Sequence, residues 1–139
     1  MLITGSCHCR NLSFTLDWTP APAEIPARAC GCSFCVKHGG VWTSCPTGRL
    51  RVVVRRSERV GRYEFGTKTA LFHVCMDCGI VPLVTSQIAG RVYAVVSVNA
   101  FDNVDAILRR SPASFDGENE GDRLARRQRN WIGDVEFVS

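Results

Sequence analysis

Seven of the chain's eight cysteines fall into three tight groups, and no other feature narrows the choice of fold as much. "GSCHCR" holds Cys7 and Cys9, "CGCSFCVKHGG" holds Cys30, Cys32 and Cys35, and "CMDCG" holds Cys75 and Cys78. Cysteines one or two residues apart make poor disulfides but good chelates. On an extended chain, residues i and i+2 point the same way with Cα atoms about 6.6 Å apart. The sulfurs of a tetrahedral zinc site lie about 3.8 Å from one another. Both thiols of a C-x-C can therefore lean onto one ion. In C-x-x-C-G the tight turn aims both sulfurs at the metal, and Gly79 can take the positive φ that a side chain resists.

Pairing Cys7 and Cys9 with Cys75 and Cys78 gives a complete four-sulfur site, structural by default, which ties the start of the chain to its middle. Cys30, Cys32 and Cys35 are left as a second site. Three protein ligands and one open position is the pattern of a catalytic zinc. Such an ion binds and activates a thiolate or polarises a carbonyl. The alternative is a site closed by a fourth ligand, for which Cys45, His38 and His73 are the candidates. Cys45 reads equally as a small buried residue. His8 stands between two ligands and should face away from the metal. Arg28 and Lys37 flank the three-cysteine group. They are placed to lower thiol pKa values or to meet a substrate carboxylate, or they are ordinary surface charges.

Composition decides between metal and disulfide. With 139 residues, 45% hydrophobic and 22% charged, the chain has the makings of one globular domain. Its apolar runs, such as "YAVVSV", are too short to span a bilayer, so no membrane partner is expected. The start, "MLITGSCHC", has no basic residue leading an apolar stretch, so no secretory signal is read and the expected location is cytoplasmic. In that compartment clustered cysteines hold metal rather than disulfides. The formal charge of +4 invites a nucleic-acid reading. Seven thiolates and two Zn²⁺ ions, however, would remove three of those four charges. The arginines near the end carry no interleaved aromatics, which a single-strand binder would want. Nucleic acid is therefore not an expected partner.

Most segments read as strands. "NLSFTLDW", "RLRVVV" and "ERVGRYEF" alternate with period two, and "VPLVTSQ" and "RVYAVVSVNA" are β-branched and bracketed by turn formers. "TPAPAEIPA" should be an extended loop that delivers the middle cysteine group from outside the sheet. "VDAILRR" (Val104 to Arg110) predicts a short helix capped by Asp102 or Asn103. "DGENEGD" followed by "RLARRQR" puts acid before base, as a helix dipole prefers, and reads as a solvated surface helix or tail, with a binding arm as the alternative. The predicted class is mainly β with short helices.

The three cysteine motifs, in this order and spacing, resemble the glutathione-dependent formaldehyde-activating enzyme family, which includes the centromere protein V domain. The resemblance covers about residues 3–102 of a single zinc-binding domain expected over 1–139, with 111–139 as a C-terminal extension. It implies a β-tent of antiparallel sheets pinned by zinc, with two zinc ions per chain. One is a structural ion on Cys7, Cys9, Cys75 and Cys78. The other is a catalytic-type ion on Cys30, Cys32 and Cys35. It implies a carbon–sulfur lyase joining glutathione, a small-molecule thiol partner, to formaldehyde to give S-hydroxymethylglutathione. In that reading Lys37 or His38 would protonate the new alkoxide, and Arg28 and Lys37 would form the basic wall that meets glutathione. Two other readings stand beside it. One is a non-catalytic, zinc-scaffolded binding module for protein or nucleic acid, and the other is a structural zinc protein with a redox-sensitive thiol cluster.

Overall fold

The computed structural model describes residues 1–104 and 107–139. In chain order its strands are β1 (Leu2–Ser6), β2 (Leu12–Asp17), β3 (Ile25–Cys30), β4 (Val41–Thr43), β5 (Arg49–Val54), β6 (Val60–Tyr63), β7 (Leu71–Cys75), β8 (Leu83–Ile88), β9 (Arg91–Ser97), β10 (Leu108–Ala113) and β11 (Asp134–Val138). The helices are α1 (Ser33–His38) and α2 (Glu120–Asn130). The mainly β expectation holds. The strands form a four-stranded sheet, β1-β2-β5-β11, and a seven-stranded sheet, β10-β3-β4-β9-β8-β7-β6.

Side-chain periodicity explains how the sheets face each other. Leu12, Phe14 and Leu16 alternate inward along β2, opposite Leu50 and Val52 of β5. They pack against Leu83, Ala94 and Val96 of the larger sheet, so the main core lies between the two sheets. The central pair β8–β9 breaks the alternation because both of its faces are covered. Leu83 and Val96 enter the main core. Val84 and Val95 turn to the other face, beneath Trp42, Phe72 and Trp131. That second face carries the site described below.

Three expectations need correction. The loop read over Thr19–Ala27 ends early, because Ile25, Pro26 and Ala27 already pair in β3, so the sheet itself delivers Cys30. The sheets are mixed rather than antiparallel throughout, since β10 runs parallel to β3 and β11 parallel to β5. The helix predicted over Val104–Arg110 is also absent as drawn: Asp105 and Ala106 lie outside the described residues, and Leu108 onward is β10. Its backbone pairs along the free edge of β3, and this outweighs the modest helical preference of "ILRR". Pro112, which has no amide to donate, suits an edge strand.

The charged segment near the end does form a helix. Asn119 caps α2 by accepting from the Asp122 amide at 2.8 Å. Glu120 and Asp122 sit in the first turn, Arg127 and Arg129 in the last, as the dipole favours. The helix is not simply solvated, however. It docks on β8, and Arg127 is only 7% exposed. Just past it, Ile132 exchanges backbone hydrogen bonds with Ala94 of β9 before the chain enters β11 in the other sheet. No described helix is long and apolar enough to cross a membrane.

Candidate metal centres and the cavity at the second one

Two turns meet at the first cysteine cluster. Cys7 and Cys9 lie in the β1–β2 turn, Cys75 ends β7, and Cys78 lies in the turn after it. All four sulfurs fall within 4.8 Å of one another. Cys7 and Cys9 are 3.8 Å apart and Cys9 and Cys75 are 3.4 Å apart, close to the edge of a tetrahedral thiolate site. Gly79 has φ of 80°, and its amide donates to the Cys75 carbonyl at 2.8 Å, which closes the turn. Asp77, between the two cysteines, is ion-paired with Arg56 and Arg59. His8 is exposed and outside the cluster. Burial pushes the Cys7 thiol up to about 12. At Cys78 burial acts the same way, but backbone and thiol hydrogen bonds outweigh it and draw the thiol down to about 6. Cys7 and Cys75 are buried, Cys78 half-buried and Cys9 exposed, and four sulfurs with opposed ionisation, spaced for one tetrahedron, fit a cation that would neutralise them together.

The second cluster is built around α1. Cys30 ends β3, Cys32 is the helix N-cap, and Cys35 sits in the helix. The Cys35 amide donates to Cys32 Sγ at 3.4 Å, and Trp42 Nε1–H donates to Cys35 Sγ at 3.3 Å. Gly40 lets this packing close, because a Cβ there would lie 3.0 Å from Cys35 Sγ and 2.9 Å from Trp42 Nε1. The Cys35 thiol donates to Cys30 and holds it down to about 5, with the Arg126 charge contributing in the same direction. Cys35, the donor, is driven upward by that bond and by burial. The three sulfurs lie within 4.8 Å, which fits a soft metal ion.

Among the described residues no fourth ligand joins them. Cys45 is buried in the main core with its sulfur 3.5 Å from Thr47 Oγ1. His73 is buried and shares a 2.7 Å hydrogen bond with Thr85 Oγ1. His38 is exposed and stacks on Phe34. All eight cysteines are free thiols.

A cavity of about 250 Å³ opens beside Cys30, Cys32 and Cys35. Trp42, Phe72 and Trp131 supply its apolar wall, and Arg28, Arg123, Arg126 and Arg127 its cationic wall. Lys37 and His38, the expected proton donors, do not line it, because both lie on the outer side of α1. Three of the four wall arginines come from α2, which the sequence reading left outside the site. A signal was there: Arg123, Arg127 and Asn130 recur at i, i+4 and i+7, one stripe of a helix that runs into a tryptophan. Glu118 accepts from Arg126 Nε at 3.0 Å and Arg123 Nε at 3.4 Å, and Arg126 lies 3.6 Å over the Phe115 ring.

Comparison with known proteins follows the cysteine pattern. The family profile described as glutathione-dependent formaldehyde-activating enzyme matches residues 2–115. The crystal structure of a Rhodobacter sphaeroides protein is similar at 29% identity with a TM-score of 0.54, over 74% of this chain and 91% of that one. A search of curated proteins finds no match.

Proposed function

The chain belongs to the glutathione-dependent formaldehyde-activating enzyme family, and from that membership we propose that it is a zinc-dependent carbon–sulfur lyase. In this reading it joins the thiol of glutathione to formaldehyde, and reverses that step. The carbon–sulfur bond forms, the carbonyl becomes a single C–O bond, and the thiol proton ends on that oxygen, giving S-hydroxymethylglutathione with no net redox change. The observation that carries the reading is the three-sulfur cluster, without a fourth protein ligand among the described residues, opening on a cavity that is part apolar and part cationic.

Cys7, Cys9, Cys75 and Cys78 would hold a structural zinc, and Cys30, Cys32 and Cys35 a second one. Bound there, the second ion would supply Lewis acidity to the reacting thiol or carbonyl. The chain's own residues do the rest. Trp42 and Gly40 fix the Cys35 sulfur. The aromatic wall keeps water from the reacting atoms, and the arginines attract an anionic thiol.

The test is exchange NMR on glutathione and S-hydroxymethylglutathione at equilibrium. The protein should accelerate their interconversion, and Cys32→Ser should abolish the acceleration and lower zinc content by one ion per chain. An exchange rate indifferent to the wild-type protein would overturn the lyase reading.

A further inference from the structure

Arg127 has no counter-charge among the described residues. Its Nη1 donates to Thr69 Oγ1 at 2.8 Å, to Ser86 Oγ at 3.1 Å and to the Thr69 carbonyl at 3.2 Å, all neutral groups. Its Nε is buried with no partner, and the guanidinium lies 5.0 Å from the Trp131 ring centre. Burial draws it down to about 10, and the neighbouring Arg126 and Arg123 charges push the same way. Arg28 is in a similar position: it donates to Ser44 Oγ at 2.8 Å and forms no ion pair among the described residues. The nearby acid, Glu118, is already shared by Arg123 and Arg126. Asp116 on the cavity wall is exposed and pairs with neither. A buried charge left unpaired is costly, and a site that tolerates one is organised for a ligand that brings the opposite charge.

Both spare guanidiniums line the cavity at Cys30, Cys32 and Cys35. Arg127 and the rest of α2 lie beyond the span that the family profile matches. We propose that Arg127, with Arg28, forms a carboxylate anchor in this cavity, so that the site selects small thiols that carry a carboxylate over neutral ones. The thiol half of this statement rests on the function proposed above, while the anchor stands on the arginines alone. A planar guanidinium pairs with carboxylates through two parallel hydrogen bonds, and such charge-assisted contacts strengthen away from water.

The experiment separates the two halves. Isothermal titration of the zinc-loaded protein compares glutathione, S-methylglutathione, whose sulfur is blocked, and glutathione diethyl ester, whose carboxylates are masked. S-Methylglutathione should still bind, and the diester should bind about tenfold or more weakly than glutathione. Arg127→Met and Arg28→Met should each erase most of that preference. The ligand series on unaltered protein keeps the proposal testable even if one variant fails to fold. Equal affinity for glutathione and its diester would overturn the anchor and leave the thiol site standing. S-Methylglutathione binding as well as glutathione would support the anchor and count against thiol capture. Absence of binding by all three would overturn both. Competition by inorganic phosphate but not by succinate would overturn the assignment to carboxylate.

Discussion

A methyl group at Gly40 would stand 3.0 Å from Cys35 Sγ and 2.9 Å from Trp42 Nε1, closer than such contacts normally come. Neither neighbour has room to retreat, since Cys35 and Trp42 are both buried. Gly40→Ala should therefore destabilise the fold by about 1–3 kcal/mol, as overpacking does. It should also lower occupancy of the second metal site while sparing the first. Denaturant unfolding and metal per chain measure the two effects, and an unchanged second site would show that Cys35 is held by other contacts. At this scale the sequence was readable where chemistry is local. C-x-C and C-x-x-C bring sulfurs together within one turn, so the two clusters could be grouped before any fold was known. The wall arginines could not, because what separates Arg127 from Arg129 is which side of α2 meets β8, and that is set by tertiary docking. Lys37 failed as a site residue for the same reason. It is near Cys35 in sequence but on the outer side of a six-residue helix.

Among the elements, α2 depends on one carboxylate. Glu118 precedes the helix and takes hydrogen bonds from Arg126 and Arg123, with its side chain 17% exposed. The Arg126 hydrogen bonds, against an opposing burial penalty, hold its carboxyl below the usual glutamate range. A depressed folded value means stabilisation that is complete above the unfolded value of about 4.5 and lost as the pH falls through the folded one. Glu118→Gln should cost about 1–2 kcal/mol near neutrality. The gap between wild type and variant should then close under acid. Urea unfolding of both proteins across the acid range checks this, and a pH-independent gap would assign the loss to packing instead. The strands were legible because a sheet with one face to the core alternates, as β2 and β5 do. The helix expected over Val104–Arg110 was a misreading of β10, whose identity comes from a partner strand some eighty positions earlier. Local preference carries no trace of such a pairing.

For the molecule as a whole, the two cysteine clusters are placed differently. The four-cysteine cluster joins the β1–β2 turn of one sheet to the end of β7 in the other, so a metal there clips the sheets together across the main core. The three-cysteine cluster draws on β3 and the helix that follows it, and makes no such link. Cys7→Ser should therefore cost several kcal/mol and the cooperative unfolding transition. Cys32→Ser should keep that transition and lose only the second ion. Calorimetry beside metal analysis distinguishes them, and equal damage from both would refute the division of labour. The meeting of Cys7, Cys9, Cys75 and Cys78 was expected from their spacing. The route of the chain after residue 115 was not, since nothing local announces that Ile132 will pair with β9 and the next residues with β5.

That route bears on how the protein can be dissected. Residues 116–139 supply a cavity wall through α2, a fully buried core residue in Ile132, and the strand that covers one edge of the smaller sheet. The profile-matched span 2–115 is thus not a portable cassette. Grafted elsewhere or used to swap parts between relatives, it would carry the sulfurs and Arg28 but leave behind Arg123, Arg126 and Arg127, most of the cavity's cationic wall. Exchanging the segment beyond it, with the cysteines left alone, is the natural crossover point for retuning what the cavity accepts.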